Sequence, residues 1–395
     1  MASSHHVPGT TKETLRSPCL VGYLDKIQRN CERMLGNAEK MGCALRPHVK
    51  THKTLEGALL QTGGRKSRIV VSTLAEAEFF AQGGFDDILY AVPLTPDKFP
   101  SAMALTESLE KFHVLVDSVE IVSQLLQFRR DKNDTKEFSV WVMVDCGYHR
   151  DGVNPQAAAS LELIETIATS EGMVFSGIYT HGGHSYDGGS KSEVVGIAND
   201  ERASVVDFSE KIRQRFPGKF EGDDAFEIGV GSTPTCSSLP DHLKGVTEMH
   251  PGNYIYYDEM QRQLGSCKAE DIAVRVLTRV IGKYPEQNML LIDMGWTGCS
   301  AQGKQQGYGK IVGTKHSNLC IKVLKQEAGE VETVDGSPID FTKYPIGAIL
   351  EVAPYHSCAA THCHSQIHIF QTNEDDIENE ELEVVTTTWK ICKGW

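Results

Sequence analysis

One lysine and two glycine-rich segments are the first features of the sequence that could carry chemistry. Lys50 ends a short apolar run, RPHVK (46–50), while GVGSTPT (229–235) and HPGN (250–253) combine glycine with hydroxyl or amide side chains. Partial burial lowers the pKa of a lysine, so that its amine can attack a carbonyl. Backbone N–H groups in glycine-rich turns can bind an anion. These segments therefore predict an amine beside an anion site, although either glycine-rich segment alone is more often a simple tight turn.

The scaffold that must position these residues is indicated by an alternation of two patterns over the first 265 residues. Short apolar runs, rich in β-branched residues, alternate with longer amphipathic segments, and this predicts parallel βαβ units. The eight runs lie at 46–50, 67–72, 87–92, 112–117, 140–145, 175–181, 226–232 and 248–257. Eight runs match an α/β fold with a (β/α)₈ barrel of about 250 residues, and a doubly wound sheet is the alternative. In a barrel, the loops after strands seven and eight often bind phosphate, which is where the two glycine-rich segments fall.

The pattern changes after about residue 265. Strand-like runs follow one another with Gly and Pro between them and without a convincing helix, and an early run at 17–24 is a further strand candidate. We therefore predict a barrel domain over 25–265 and a C-terminal all-β domain over 266–395 that includes the strand at 17–24. The acidic run at 373–383 is expected to be a solvated loop.

Composition excludes several classes of protein. The chain has 395 residues and a formal net charge of −14, which argues against a general binder of nucleic acid or anionic membranes. The N-terminal segment has no apolar core of a signal peptide, and the longest apolar stretches are too short to span a bilayer. The 11 cysteines contain no CxxC pair and are expected to be mostly small buried side chains. A cytoplasmic location is the expectation.

An amine next to a phosphate site suggests pyridoxal phosphate held as a Schiff base on Lys50. Two other interpretations of the same residues stay open at this point. The lysine could belong to a Schiff-base aldolase that acts on a sugar phosphate, or it could simply bind an anion. Lys53, in the same KTHK segment, is the competing lysine.

Six ordered motifs resemble those of the alanine-racemase-like, fold-type III pyridoxal-phosphate enzymes. Within that family they are similar to the branch of eukaryotic D-serine dehydratases and D-threonine aldolases, from about residue 17 to 395. The motifs are RPHVKTHKT (46–54), VDCGYHRDGV (144–153), YTHGGHSY (179–186), GVGSTPT (229–235), HPGNYIYYD (250–258) and PYHSC (354–358). The resemblance implies the same barrel and β domain. It also implies Lys50 as the Schiff-base lysine and Arg150 near the phenolic oxygen of the cofactor. Tyr179 and Tyr186 would line the cofactor. The residues that would hold its phosphate are Ser232, Thr233, Gly252 and Asn253.

A pair of residues near the C-terminus could bind a metal ion. His356 and Cys358 form an H-x-C pair, and imidazole and thiolate are both good zinc ligands, but a lone pair of this kind is usually chance. The resemblance implies that these two residues bind zinc and leave open coordination positions. Strand alternation would put His362 and His364 of the nearby HCH cluster on one face. We expect that cluster to be a packing or surface feature.

The activity that the resemblance implies is a β-elimination. Lys50 would remove the α-proton of D-serine, zinc would assist departure of the hydroxyl, and pyruvate and ammonia would result. D-threonine aldolase is the nearest alternative, and a non-catalytic pyridoxal-phosphate carrier is another. The family resemblance also implies a head-to-tail homodimer. The histidines His48, His52, His181 and His184 are expected to line the cleft as hydrogen-bond partners.

Overall fold

The chain folds around two β-sheets in a computed structural model that describes residues 9–133, 135–222, 225–371 and 384–395. Its first long elements are strand β1 (Cys19–Tyr23) and helix α1 (Leu24–Met41). The acidic run at 373–383 lies outside the described residues, so its interpretation as a solvated loop stays a prediction. Within the described ranges, no helix is long and apolar enough to cross a membrane.

The first sheet is a parallel barrel. Its strands are β2 (Ala44–Leu45), β3 (Ile69–Val71), β4 (Asp87–Pro93), β5 (Lys111–Val116), β6 (Phe138–Val144), β7 (Met173–Thr180), β8 (Glu227–Val230) and β9 (Glu248–Met249). They pair in the order β2-β9-β8-β7-β6-β5-β4-β3. An isolated parallel bridge between His48 and Val70 joins the two ends of this order. The (β/α)₈ fold is confirmed, and the doubly wound alternative is excluded because such a sheet stays open.

Helices follow the barrel strands as the amphipathic segments predict. They are α2 (Leu55–Gln61), α3 (Leu74–Gln82), α4 (Phe99–Ser108), α5 (Val119–Lys132), α6 (Ala158–Thr169), α7 (Lys191–Arg215) and α8 (Thr233–Ser237). Many begin at a hydroxyl side chain that accepts a backbone N–H of the first turn, such as Thr73, Ser118 and Ser190. These N-caps satisfy donors that the helix itself leaves open, so the sequence marks its own helix starts.

The second sheet has nine strands and takes in β1. The others are β10 (Val274–Tyr284), β11 (Met289–Ile292), β12 (Gly309–Ile311), β13 (Leu319–Leu324), β14 (Gly329–Thr333), β15 (Ile349–Pro354), β16 (Gln366–Phe370) and β17 (Val385–Lys390). Strand β1 lies between β10 and β16, antiparallel to the first and parallel to the second. The division of the chain into two domains at about residue 265 stays a prediction.

Two barrel strands have only two residues each and differ from their predicted runs, since β2 ends before its run begins and β9 covers only the start of its run. The first run was expected to be extended over 46–50, but the strand ends at Leu45 and Val49–Thr51 is a 3-10 turn. The eighth was expected over 248–257, but it ends at Met249 and Asn253–Ile255 is a 3-10 turn. Pro47 and Pro251 follow these strands, and proline has no N–H for the ladder.

The expected β structure after residue 265 is confirmed, but the helices between its strands were not predicted. Short helices α10 (Trp296–Cys299) and α11 (Ser357–His362) interrupt the second sheet, after the link helix α9 (Glu259–Gln263). Because α11 is helical, His362 and His364 do not alternate along a strand, and the prediction that they share one face of a strand is wrong. Helices this short give too few periodic positions to be seen in the sequence.

A buried ion network fills the end of the barrel at which its strands begin. The Arg46 side chain is 2% exposed, donates from Nε to Glu248 Oε1 at 2.8 Å and also pairs with Asp87. His113 lies 3.1 Å from the same Asp87 carboxylate. Burial opposes the charge of Asp87, but the hydrogen bond with His113 and the Arg46 charge hold its pKa well below the usual range. The arginine therefore balances two buried carboxylates.

Removing that arginine tests how much this network contributes to the fold. We expect Arg46→Ala to lower the free energy of unfolding by about 3–5 kcal/mol, since two buried carboxylates lose their partner. Arg68→Ala is the matched control, because its side chain is 41% exposed and lies 3.6 Å from the same Glu248. Its expected effect in urea unfolding is below about 1 kcal/mol. Equal effects of the two variants would contradict the account.

Candidate active site

A cavity of about 360 Å³ lies where the carboxyl ends of the barrel strands meet α11. Among its lining residues are eight that were predicted to bind cofactor or metal: Lys50, Tyr186, Ser232, Thr233, Gly252, Asn253, His356 and Cys358. A larger cavity of about 620 Å³ lies at the opposite end of the barrel, around the Arg46 network, and holds none of them. The smaller cavity is therefore the candidate site, as expected for the carboxyl end of a barrel.

Lys50 lies on the 3-10 turn directly after the buried Val49. No carboxylate of the described residues lies within ion-pair distance of its amine. Burial lowers the pKa of Lys50, the Cys358 sulfur opposes this shift, and the Arg150 charge adds to it. Lys53 differs, because its amine lies 2.7 Å from the buried carboxylate of Glu76. Of the two competing lysines, Lys50 is thus the one with an available amine.

Two backbone turns form a donor surface beside Lys50. A Cβ on Gly252 would lie 2.7 Å from the His48 carbonyl oxygen, so only glycine lets these segments approach. The N–H groups of Gly252 and Asn253 donate to no acceptor among the described residues. Ser232 Oγ lies 2.8 Å from Ser185 Oγ on the same side of the cavity. Open N–H donors with hydroxyls around them fit a phosphate group.

The Thr233 end of this surface meets Tyr186. Burial, together with the negative charges of Cys358 and Asp258, raises the pKa of Tyr186 far above its usual value. The phenol therefore stays neutral and can only hydrogen-bond. Both residues line the cavity, so the structure brings together all four residues predicted to hold phosphate and one of the two tyrosines.

Of the four histidines predicted to line the cleft, His48 and His181 line the cavity and are held neutral by burial. Burial and the nearby Lys50 lower the pKa of His181 to about 3, and its Nδ1 donates to the Gly231 carbonyl at 3.0 Å. Burial also lowers the pKa of His48, which lines the cavity, far below its usual value. His52 bonds instead to Thr54 and Gln61 in the core. His184 stacks on Tyr148 at 6.1 Å between ring centroids.

Two residues expected around the cofactor do not line the cavity. Tyr179 is buried on the adjoining strand β7 and stacks on His250, with ring centroids 4.4 Å apart. The Arg150 side chain is 45% exposed, and its Nε donates to Asp151 at 3.2 Å. Its guanidinium also lies over the ring of Tyr148, at 5.4 Å. Arg150 thus lies at the rim of the cavity. Tyr179 lies behind the cavity wall, stacked on the lining residue His250.

The H-x-C pair lies at the start of α11 and faces the same cavity. Cys358 Sγ lies 3.1 Å from Thr51 Oγ1, on the turn that carries Lys50. Burial opposes charge on both members, but each favours the charged form of the other. The thiolate raises the pKa of His356 to about 9, and the imidazolium lowers the pKa of Cys358. Their mutual proximity favours a thiolate beside an imidazolium, whose proton a bound metal ion would displace.

The chemistry of this pair suits zinc with open positions. In the described part of the chain, no three His, Cys, Asp or Glu side chains converge as a complete metal site. Two protein ligands would leave coordination positions open to water or substrate on a four-coordinate zinc ion. The nearby HCH cluster lies elsewhere, since His364 Nε2 bonds to the Gly298 carbonyl at 2.8 Å.

Asp258 is a residue that sequence reasoning missed. It is fully buried, and its Oδ2 accepts from Asn253 Nδ2 at 2.6 Å and from the Ser357 N–H at 2.8 Å. Its Oδ1 caps α9 by accepting the Gln261 N–H. An Asp before a helix is visible in the sequence as a cap, but the bond to Ser357 spans 99 positions and is not. Gln302, which accepts from His356 Nδ1, was missed for the same reason.

Comparison with known proteins gives the relatives of this chain. Residues 23–259 match the family model of the alanine racemase N-terminal domain, and residues 273–370 match a putative serine dehydratase domain. A D-serine dehydratase of Dictyostelium discoideum is 36% identical, over 92% of this chain and 95% of its own. A D-threo-3-hydroxyaspartate dehydratase of a Delftia strain is 33% identical, over 97% and 98%.

Solved structures agree with the sequence matches. The Delftia enzyme superposes with a TM-score of 0.86 at 32% identity, over 98% of this chain and 100% of its own. A cysteine-to-alanine variant of that enzyme in a metal-free form gives the same score and coverage. A D-threonine aldolase from Filomicrobium marinum gives a TM-score of 0.81 at 18% identity, over 98% of both chains, and so shows the fold alone.

The different surroundings of the two lysines lead to a stability test on the cofactor-free protein. Lys53→Met should lower the free energy of unfolding by about 3–5 kcal/mol, because it leaves Glu76 buried without its partner. Lys50→Met, the matched variant three residues away, should leave stability unchanged or higher, since it removes a cation that has no ion pair. Thermal and urea unfolding measure both. A larger loss in Lys50→Met would contradict the assignment of the available amine.

Proposed function

Because the chain belongs to the alanine-racemase-like family of fold-type III pyridoxal-phosphate enzymes, we propose that it is a D-serine dehydratase that uses pyridoxal phosphate and zinc. The reaction removes the α-proton and the β-hydroxyl of D-serine, and the resulting enamine hydrolyses to pyruvate and ammonia. The two relatives with the highest identities given above are named as dehydratases, one of D-serine and the other of D-threo-3-hydroxyaspartate. A homodimer and a cytoplasmic location stay predictions.

The observation that carries this proposal is that one cavity holds an available amine and an imidazole–thiolate pair. Lys50, His356 and Cys358 all face it, and Thr51 links the two groups through its 3.1 Å contact with Cys358. A cofactor carrier needs the amine alone. An elimination that expels hydroxide needs both a base and an acid for the leaving oxygen.

When bound, pyridoxal phosphate makes the α-proton of an amino acid acidic, and zinc acts as a Lewis acid toward a hydroxyl. The open N–H groups of Gly252 and Asn253, with Ser232 and Thr233, would hold the phosphate. His356 and Cys358 would hold the zinc. Arg150 at the rim helps to keep Lys50 available as an amine, since its charge favours the uncharged form.

Proton movement in the proposed reaction centres on Lys50. Burial lowers its pKa, so a larger fraction of the amine is uncharged at neutral pH and can take the α-proton at Nζ. His48 and His181 carry lowered pKa values from burial and stay neutral, so they place no further positive charge beside the amine. The leaving hydroxide takes up the proton that Lys50 removed and departs as water, which returns the amine to its uncharged form. Hydrolysis of the enamine then returns one water and releases ammonium.

Pyruvate formation from D-serine tests the proposal. Chelation, or Cys358→Ala, should lower kcat by at least about 100-fold, because a Lewis acid worth several kcal/mol is lost. Cofactor absorbance should persist in both. Cys363→Ala is the matched control, because this exposed cysteine lies outside the cavity. Full activity without metal would contradict the zinc role. Glycine and acetaldehyde from D-threonine, without pyruvate from D-serine, would instead identify an aldolase.

The lysine assignment has its own test. Borohydride reduction of the protein loaded with pyridoxal phosphate should attach the cofactor to the peptide that contains Lys50, as read by mass spectrometry of a digest. Lys50→Ala should lose this label, whereas Lys53→Ala should keep it, because the Lys53 amine is engaged by Glu76 at 2.7 Å. A label that stays in Lys50→Ala and disappears in Lys53→Ala would reverse the roles.

A further inference from the structure

One fully buried carboxylate outside the reacting groups binds both loops on the phosphate side of the cavity. Glu201 lies on α7 and is 1% exposed. Its Oε1 accepts the N–H of Gly182 at 2.7 Å and the N–H of Gly231 at 2.9 Å. Its Oε2 accepts the hydroxyl of Thr235 at 3.2 Å. Every one of these neighbours is a donor, so the acceptor-only form of the side chain fits its surroundings.

The two glycines belong to consecutive barrel loops. Gly182 lies between His181 and Tyr186, in the loop after β7. Gly231 follows β8 directly and precedes Ser232, the cap of α8. Both loops supply lining residues of the cavity. A single oxygen atom of Glu201 therefore bridges the two loops, beyond the last paired residues of β7 and β8.

The contact with Thr235 extends this control to the serine at the phosphate side. Thr235 Oγ1 accepts the Ser232 N–H at 3.1 Å and lies 3.0 Å from Ser232 Oγ. Ser232 Oγ in turn lies 2.8 Å from Ser185 Oγ, in the loop after β7. The carboxylate, the threonine and the two serines form one hydrogen-bond chain that ends at the cavity.

Burying a carboxylate without a cation beside it costs free energy, because the charged group loses its water. No lysine, arginine or histidine of the described residues forms an ion pair with Glu201. The neighbours whose ionisation it affects are Cys146, Tyr179 and Cys236, all of which burial keeps neutral. A purely structural link could use a neutral amide. Burial raises the pKa of Glu201 to about 7, while the three donors favour its carboxylate form. The convergence of three donors on one side chain points to a demand for acceptors at this place.

We propose that Glu201 is a positioning residue that holds the phosphate-binding turn in shape, so that the phosphate group of the cofactor, and not its ring, depends on it for affinity. This inference rests on the proposed use of pyridoxal phosphate. The ring is expected to meet Lys50 and Tyr186, and neither of these hydrogen-bonds to Glu201 in the described structure. Gly182 fits closely against this side chain, since a Cβ at that position would lie 3.1 Å from the Glu201 carboxyl carbon.

The test compares pyridoxal phosphate with pyridoxal, which lacks the phosphate, as ligands of the cofactor-free full chain. For Glu201→Gln we expect the Kd of pyridoxal phosphate to rise about tenfold or more, from weakened charge-assisted hydrogen bonds. The Kd of pyridoxal should stay within about twofold. Glu193→Gln is the matched control on the same helix, because its carboxylate accepts only the exposed Gly189 N–H. It should change neither Kd.

Two results would overturn the positioning role: unchanged affinity for both ligands in Glu201→Gln, or an equal loss for both. If Glu201→Gln does not fold, Thr235→Val tests the same chain of bonds and should give a smaller loss confined to pyridoxal phosphate. Again, an equal loss for both ligands would overturn the role. If the wild-type protein binds neither ligand, the proposed function itself is wrong. If the wild-type protein and the variants bind pyridoxal phosphate equally well, only this inference is wrong.

Discussion

The buried carboxylate of Asp258 is the contact on which the candidate site depends. Its Oδ2 holds Asn253, in the loop after the last barrel strand, and also the Ser357 N–H at the start of α11. Neither sheet forms the site by itself. Lys50 follows a barrel strand, and the H-x-C pair lies at the start of α11, between two strands of the second sheet. Cys358 reaches the Lys50 turn through Thr51 only because α11 is held in this position. Metal donors and amine are thereby placed in one cavity.

Charge is distributed around the cavity against the net charge of the whole chain. The formal charge is −14, yet the phosphate side offers backbone donors and the nearby amine of Lys50 has no ion pair. Two other buried cations are paired with carboxylates, since Lys53 pairs with Glu76 and Arg46 with two carboxylates. An amine without an ion pair lowers the stability of the fold, but covalent chemistry at the site requires such an amine.

The barrel could be predicted from the sequence because its signals are local. Eight apolar runs and their capped helices alternate within each βα unit, and the strand ends place Lys50 and Gly252 at one mouth. The shortened first and last strands were missed because the pairing that proline interrupts is tertiary. Helix α11 was missed because six residues give no clear period. The displacement of Arg150 and Tyr179 from the cavity wall depends on loop shape and strand facing, which motif order does not encode.

The central claim is that one cavity holds cofactor, amine and metal together. Diffraction from crystals grown with pyridoxal phosphate and zinc, with anomalous data at the zinc edge, tests it most directly. The account predicts continuous density from Lys50 Nζ to the cofactor, whose phosphate lies against Gly252 and Asn253. It also predicts one anomalous peak about 2.0–2.1 Å from a His356 nitrogen and about 2.3 Å from Cys358 Sγ. A zinc peak at the His362–His364 cluster, or cofactor density joined to Lys53, would contradict it.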